Sequence, residues 1–200
     1  MTQRLLLASK SESRQRLLRE ALVPFETVNA MVDEDAAKDA LAAEGTGPRN
    51  LADALAELKA LKPSLRNPTD LVLGCDQTLE LEDGSRVDKV ETREEAAALL
   101  ARMSGQSHKL HSAAVIAEGG QPVWRHIESV TLFVRPLSTA FIDTYLDSDW
   151  DDCRWCVGCY RIEGPGAQLF SKINGTLFAV QGLPLLPLLD YLRTRSILRA

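Results

Sequence analysis

The chain has 200 residues, 45% of them apolar and 26% charged, with a formal net charge of −5. That is the composition of a globular domain long enough to bury a sizeable core. The acidic balance disfavours non-specific binding to nucleic acid or to an anionic membrane, so any polyanion must meet a local positive site.

Residues 4–8 read as a buried strand. Their apolar run is far too short for a signal-peptide core or a membrane span, and no other run approaches that length. The expected location is the cytoplasm. Ser9 and Glu12 have capping-box spacing, which predicts a helix from there to about Glu20, with Leu17, Leu18, Ala21 and Leu22 on one face. Residues 25–28 form a second strand leading into Val32-Asp33-Glu34. Residues 44–48 are a loop, and a helix follows over 50–61. Residues 71–81 are the longest strand. Asp83-Gly84 signals a hairpin turn, with 87–90 returning. Thr92 and Glu95 form a second capping box, opening a helix that ends near Gly105. Long strands follow at 109–117 and 123–134, then a short helix from Ser138. Two further strands, 157–162 and 168–173, flank Gly164-Pro165-Gly166. Pro184 suits the first turn of a final helix to about Arg195. The chain has no repeats, no low-complexity tract and no linker, which predicts one domain over residues 1–200.

Three segments carry chemical signals. The first is Ser9-Lys10-Ser11-Glu12-Ser13-Arg14, between a buried strand and a helix. Such a junction offers free backbone N–H groups and the positive end of the helix dipole, a suitable seat for phosphate. The absence of a Walker-type glycine loop excludes a P-loop protein. The second is Leu71-Val72-Leu73-Gly74-Cys75-Asp76-Gln77-Thr78-Leu79. Aspartate is depleted in strands, and burying a carboxylate is costly without a cation, a metal or strong donors. Alternation places Val72, Gly74, Asp76 and Thr78 on one face, and Gly74 leaves room beside Asp76 for a close approach. A catalytic base or metal ligand fits this setting, and so does a structural ion pair. Lys89 lies on the expected return strand. A two-residue turn puts it opposite Thr78, on the Asp76 face, and a three-residue loop reverses that relation. The third signal is Glu163, which enters a glycine-rich turn where a carboxylate could accept from a base edge.

Taken in order, these segments resemble the Maf family of nucleotide pyrophosphatases, over nearly the whole chain. Residues 6–14 are similar to the family's strand and Ser-x-Ser-Pro-x-Arg loop, with Glu12 in place of the proline. Val32-Asp33-Glu34 resembles its acidic motif, residues 55–60 its Leu-Ala-x-x-Lys-Ala helix, and Gly74-Cys75-Asp76-Gln77 its Gly-x-Asp-x strand. Lys89, Ser104-Gly105, Glu163-Gly164-Pro165-Gly166 and Gly182-Leu183-Pro184-Leu185 complete the pattern.

The resemblance implies an α/β, two-lobed fold of the Maf and ITPase kind, with a long bent mixed sheet, flanking helices and the active site in a central cleft. It implies hydrolysis of a nucleoside triphosphate to the monophosphate and pyrophosphate, with Mg²⁺ or Mn²⁺ held by Glu34 and Asp76. Asp76 then activates the water. Arg14, Lys59 and Lys89 neutralise phosphate charge, and Ser9 and Ser11 hold the phosphate chain. Branches acting on dTTP and UTP carry arginine, threonine and glutamine at the positions of Ser13, Gln77 and Glu163. The branch acting on 7-methyl-GTP has glutamine and glutamate at the last two, as here. Other readings are a dTTP, UTP or other triphosphate pyrophosphatase of the family, or a non-catalytic nucleotide-binding regulator of cell division. The expected partner is the nucleotide alone, with neither nucleic acid nor membrane, and by analogy a homodimer.

Cys153-x-x-Cys156-x-x-Cys159 invites a soft-metal reading, but the remaining cysteine, Cys75, is distant, and free, partly buried thiols are expected instead. His108, His111 and His126 have no ligand spacing and are expected to be structural or exposed. Trp124, Trp150 and Trp155 are expected to pack.

Overall fold

A computed structural model of the protein describes residues 3–199. The chain runs β1 (Leu5–Leu7), α1 (Glu12–Glu20), β2 (Glu26–Thr27), α2 (Glu34–Ala43), α3 (Pro48–Arg66), β3 (Leu71–Leu81) and β4 (Arg86–Val87). It continues with α4 (Arg93–Met103), β5 (Ser107–Glu118), β6 (Gln121–Val134), α5 (Thr139–Cys153), β7 (Phe170–Asn174), α6 (Leu177–Val180) and α7 (Leu185–Thr194). The fold is α/β. The strands form one mixed sheet in the order β2-β1-β3-β5-β6-β7, with β4 added to β3. β1 pairs in parallel with β2 and with β3, while β4 pairs antiparallel with β3 and β7 antiparallel with β6. Among the described residues no helix is long and apolar enough to cross a membrane.

The chain divides into two compact units. The first comprises the described residues of Met1–Gln77, Ser112–Glu128 and Gly182–Ala200. Here α3 meets the sheet through Ala52, Ala56 and Ala60, which pack with Ala113, Val115 and Ala117. The second comprises Thr78–His111 and Ser129–Gln181. Its core gathers Leu79, Leu100, Leu110, Leu132, Leu146 and Leu169 with their neighbours.

Several elements differ from their sequence expectation. The N-cap of α1 is Ser11, whose side chain accepts from the Arg14 N–H, and not Ser9. Residues 34–43 are helical, with Asp33 as N-cap; no side chain of α2 is buried, so no apolar stripe announces it. α3 is longer than 50–61. It begins at Pro48, which suits a first helical turn, and continues through Pro63 to Arg66. The helix at Ser138 runs fifteen residues rather than being short. The hairpin between β3 and β4 has three loop residues. Leu79 faces Val87, the Leu81 N–H donates to the Ser85 carbonyl at 2.9 Å, and Gly84 takes φ 80°. β4 ends at Val87, so Lys89 lies outside the ladder and is exposed.

Residues 157–162 are turn, not strand. Gly158 and Cys159 sit at φ 87° and 55°, in the left-handed region that an extended chain cannot use. Two successive turns close there, with Cys156 N–H donating to the Cys153 carbonyl at 2.9 Å and Cys159 N–H to the Cys156 carbonyl at 3.1 Å. The Tyr145 hydroxyl donates to the Cys159 carbonyl at 3.1 Å, which fixes the second turn to α5.

Candidate active site

The contact between α3 and β3 positions the central group. A Cβ on Gly74 would stand 2.1 Å from the Ala56 carbonyl oxygen and 2.6 Å from the Ala60 nitrogen. Only glycine lets the helix backbone lie this close to the strand. Asp76 is two residues further along β3, on the Gly74 face, and Lys59 is on the same buried stripe of α3 as Ala56 and Ala60. The two side chains therefore meet: Lys59 Nζ donates to Asp76 Oδ1 at 2.6 Å. Each residue is only 6% exposed. The same ammonium lies 2.8 Å from Glu34 Oε2, at the more open start of α2. The buried charge expected at position 76 has its cation, and two carboxylates converge on one ammonium.

Arg14 enters from α1 and is also buried. Its Nε donates to the Gly182 carbonyl at 2.8 Å, and its Nη1 donates to Ser9 Oγ at 3.2 Å and to the Cys75 carbonyl at 3.1 Å. Arg14 thus ties the loop after β1 to the strand residue next to Asp76 and to the loop before α7. Gly182 is at φ 93°, and its would-be Cβ lies 3.3 Å from Arg14 Nε, so a side chain there would be strained and would press on the guanidinium. Ser9 Oγ also accepts from the Ser11 N–H at 3.3 Å. Ser13 is half-buried in the first turn of α1. The segment 9–14 keeps the anion-friendly start of a helix beside a buried arginine. Gln77 Nε2 donates to Ser112 Oγ at 2.8 Å. Burial pushes the Cys75 thiol up to about 11, which favours the protonated form of this neighbour of Asp76.

All of these residues belong to the first unit. Lys89 and Glu163 belong to the second, and both are exposed. They lie close enough to Cys156 to act on it. Burial pushes that thiol up to about 11, Glu163 adds to the effect, and Lys89 opposes it. Glu163 sits in a turn ahead of a short 3₁₀ segment, Pro165–Leu169. That turn is held from α5. Arg161 donates to the buried Asp149 through both Nε and Nη2, and it lies 2.8 Å from Asp152. No sequence signal marks this pairing, because both aspartates sit on α5, within a run of acidic residues.

The Glu34 and Asp76 carboxylates, which converge on the Lys59 ammonium, are hard oxygen donors of the type that suits a divalent cation such as Mg²⁺. Among the described residues no group of three or more His, Cys, Asp or Glu side chains is arranged to hold a metal. The described cysteines are free thiols. His108 is buried against the Tyr160 hydroxyl at 2.6 Å, and His111 lies between Ser129 Oγ and Glu80 Oε2, both at 2.8 Å. Trp124 stacks on Tyr191 and His126, and Trp150 packs on the second core. Trp155 does not pack: it is 66% exposed.

Comparison with known proteins adds independent findings. The family described as "Maf-like protein" matches residues 4–195. A protein of Sphingopyxis alaskensis named nucleoside triphosphate pyrophosphatase is 51% identical over 193 residues, covering 96% of this chain and 98% of its own. A protein of the same name from Caulobacter vibrioides is 50% identical over 192 residues, covering 96% of each chain. A Brucella suis protein named 7-methyl-GTP pyrophosphatase is 45% identical over 193 residues, covering 96% of each.

Proposed function

The chain belongs to the family of Maf-like proteins, and on that premise we propose that it hydrolyses a nucleoside triphosphate to the monophosphate and pyrophosphate, as a hydrolase acting on an acid anhydride. The observation that carries this reading is the Glu34–Lys59–Asp76 cluster, in which the buried Lys59 Nζ is held at 2.8 Å by the more exposed Glu34 and at 2.6 Å by the buried Asp76. Water attacks the α-phosphorus, the bond to the bridging oxygen of the β-phosphate breaks, and pyrophosphate leaves. Asp76 orients the water and accepts its proton. An ammonium has three N–H donors, and two are spent on carboxylates; the third is the donor for a phosphate oxygen as charge builds there. Arg14 adds fixed positive charge, and Ser9 and Ser11 offer hydroxyl and N–H groups to the phosphate chain. Lys89 is the further cation for the leaving group.

Glu34 and Asp76 are the proposed ligands of Mg²⁺ or Mn²⁺. Bound there, the cation supplies charge neutralisation on phosphate and a more acidic water. With only two carboxylates from the protein, such a cation would leave room for substrate and water oxygens, as Mg²⁺ commonly requires.

The preferred base is N7-methylguanine. The resemblance of Gln77 and Glu163 to the 7-methyl-GTP branch supports this, as does the name of the Brucella suis relative. Chemically, Glu163 can accept from the N1–H and N2–H₂ donors of guanine and offset the positive charge of the methylated ring. The test is pyrophosphate release over a panel of canonical and methylated triphosphates with Mg²⁺, for the wild type and Glu163→Gln. A preference for 7-methyl-GTP that the substitution reduces is expected. Identical kcat/KM ratios across the panel in both proteins count against Glu163 as the base reader.

A further inference from the structure

The turn that carries Glu163 is anchored to the end of α5. Arg161 donates to Asp149, which is 4% exposed, and pairs with Asp152 at 2.8 Å. Its Nη2 is 3.3 Å from where a Gly164 Cβ would stand, and a Cβ on Gly166 would meet the Arg161 carbonyl oxygen at 2.5 Å. Glu163 and the last turn of α5 are therefore held as neighbours.

That same end of α5 carries two indoles that the catalytic account does not use. Trp150 packs on the core, and Trp155, just beyond the helix, is the exposed one. The guanidinium carbon of Arg154 lies 4.9 Å from the Trp155 ring centre and 5.4 Å from that of Trp150. A guanidinium is a planar, delocalised, weakly hydrated cation that stacks on aromatic faces. Its position over these rings marks the ligand class they suit. The next residue, Cys156, has Glu163 and Lys89 as charged neighbours, which brings the candidate base reader to the same stretch of chain.

We propose that Trp155 is a base-stacking residue: its indole takes the flat, positively charged ring of an N7-alkylated purine whose donor edge Glu163 accepts. This rests on the functional reading above and adds a specificity residue to it. Tryptophan is the strongest aromatic partner for a cation. Neutral guanine stacks on it as well but gains nothing from the ring's quadrupole, so the contact separates methylated from unmethylated base. Arg154 is then an internal competitor. It occupies the indole face and repels a second cation brought to it.

The experiment measures kcat/KM for 7-methyl-GTP and GTP, and equilibrium binding of their products 7-methyl-GMP and GMP, in four proteins: wild type, Trp155→Ala, Trp155→Phe and Arg154→Gln. Trp155→Ala lowers the preference for the methylated nucleotide by about 5-fold or more, and Trp155→Phe recovers part of it. Arg154→Gln tightens 7-methyl-GMP more than GMP. A preference for the methylated nucleotide unchanged in Trp155→Ala overturns the proposal whatever Arg154→Gln does. If the wild type releases pyrophosphate from neither triphosphate, the functional reading has failed. Stacking is then judged by the products alone: it is upheld if Trp155→Ala abolishes selective binding of 7-methyl-GMP, and overturned if the wild type binds both products equally.

Discussion

Replacing Lys59 with methionine keeps the length and apolar stem of the side chain but removes the ammonium from between two carboxylates. The two losses are unequal. The Glu34 side chain is 46% exposed, so water replaces its partner and the cost there is ~0–1 kcal/mol. Asp76 is 6% exposed and loses its buried cation. Removing one member of a buried pair costs about 3–5 kcal/mol, because the charge left behind is neither hydrated nor paired. Asp76→Asn differs: Lys59 keeps Glu34, and the amide oxygen can still accept, so about 1–3 kcal/mol is expected. With a urea m-value of ~2 kcal/mol/M, Lys59→Met lowers the midpoint by about 1.5–2.5 M, and Asp76→Asn by about 0.5–1.5 M. Paired urea titrations at neutral pH check the ordering. If Lys59→Met unfolds at the wild-type midpoint, or later than Asp76→Asn, then the ammonium is not what makes the buried carboxylate tolerable.

Two further outcomes follow from the same geometry. Gly74→Ala forces a Cβ against the Ala56 and Ala60 backbone, which can yield only by moving α3; a loss of ~1–3 kcal/mol is expected, with activity falling further as Lys59 leaves Asp76. A Gly74→Ala protein with wild-type urea midpoint and turnover contradicts the close helix–strand contact. Burial pushes His108 down to about 4 from an ordinary 6.5. Between those values the unfolded chain binds the extra proton, so stability falls as pH drops from about 6.5 towards 4, by on the order of 3 kcal/mol. His108→Gln, whose amide can still meet the Tyr160 hydroxyl, should lose that slope; an unchanged slope assigns it to other groups.

What the sequence discloses follows from where burial leaves a mark. Residues 71–81 read correctly because an uninterrupted apolar run flanks one carboxylate, and the cost of burying Asp76 requires a partner. Which cation answers it is not written locally. Lys59 reaches Asp76 through helix–sheet packing set by Gly74, Ala56 and Ala60, and only the family resemblance singled it out beforehand. α2 was invisible because it buries none of its side chains. The segment 157–162 looked like a strand because Val157, Tyr160 and Ile162 are apolar or aromatic, yet Gly158 and the non-glycine Cys159 take left-handed backbone. Tertiary support from Tyr145 overrides the propensity there. The resemblance gives Arg14 to the phosphate; what its bonds to Gly182, Ser9 and Cys75 show is a brace between the loops around the site, which no local pattern announces. The Arg161–Asp149 lock under Glu163 had no signal in the chain at all.

The central claim is that the carboxylate of residue 76 performs chemistry and does not merely balance Lys59. Single-turnover pyrophosphate release by Asp76→Asn, measured beside its urea midpoint, tests that directly. The account predicts a protein that stays folded while its rate falls at least ~10²-fold, the usual share of a general base. A folded Asp76→Asn protein that releases pyrophosphate at close to the wild-type rate contradicts it.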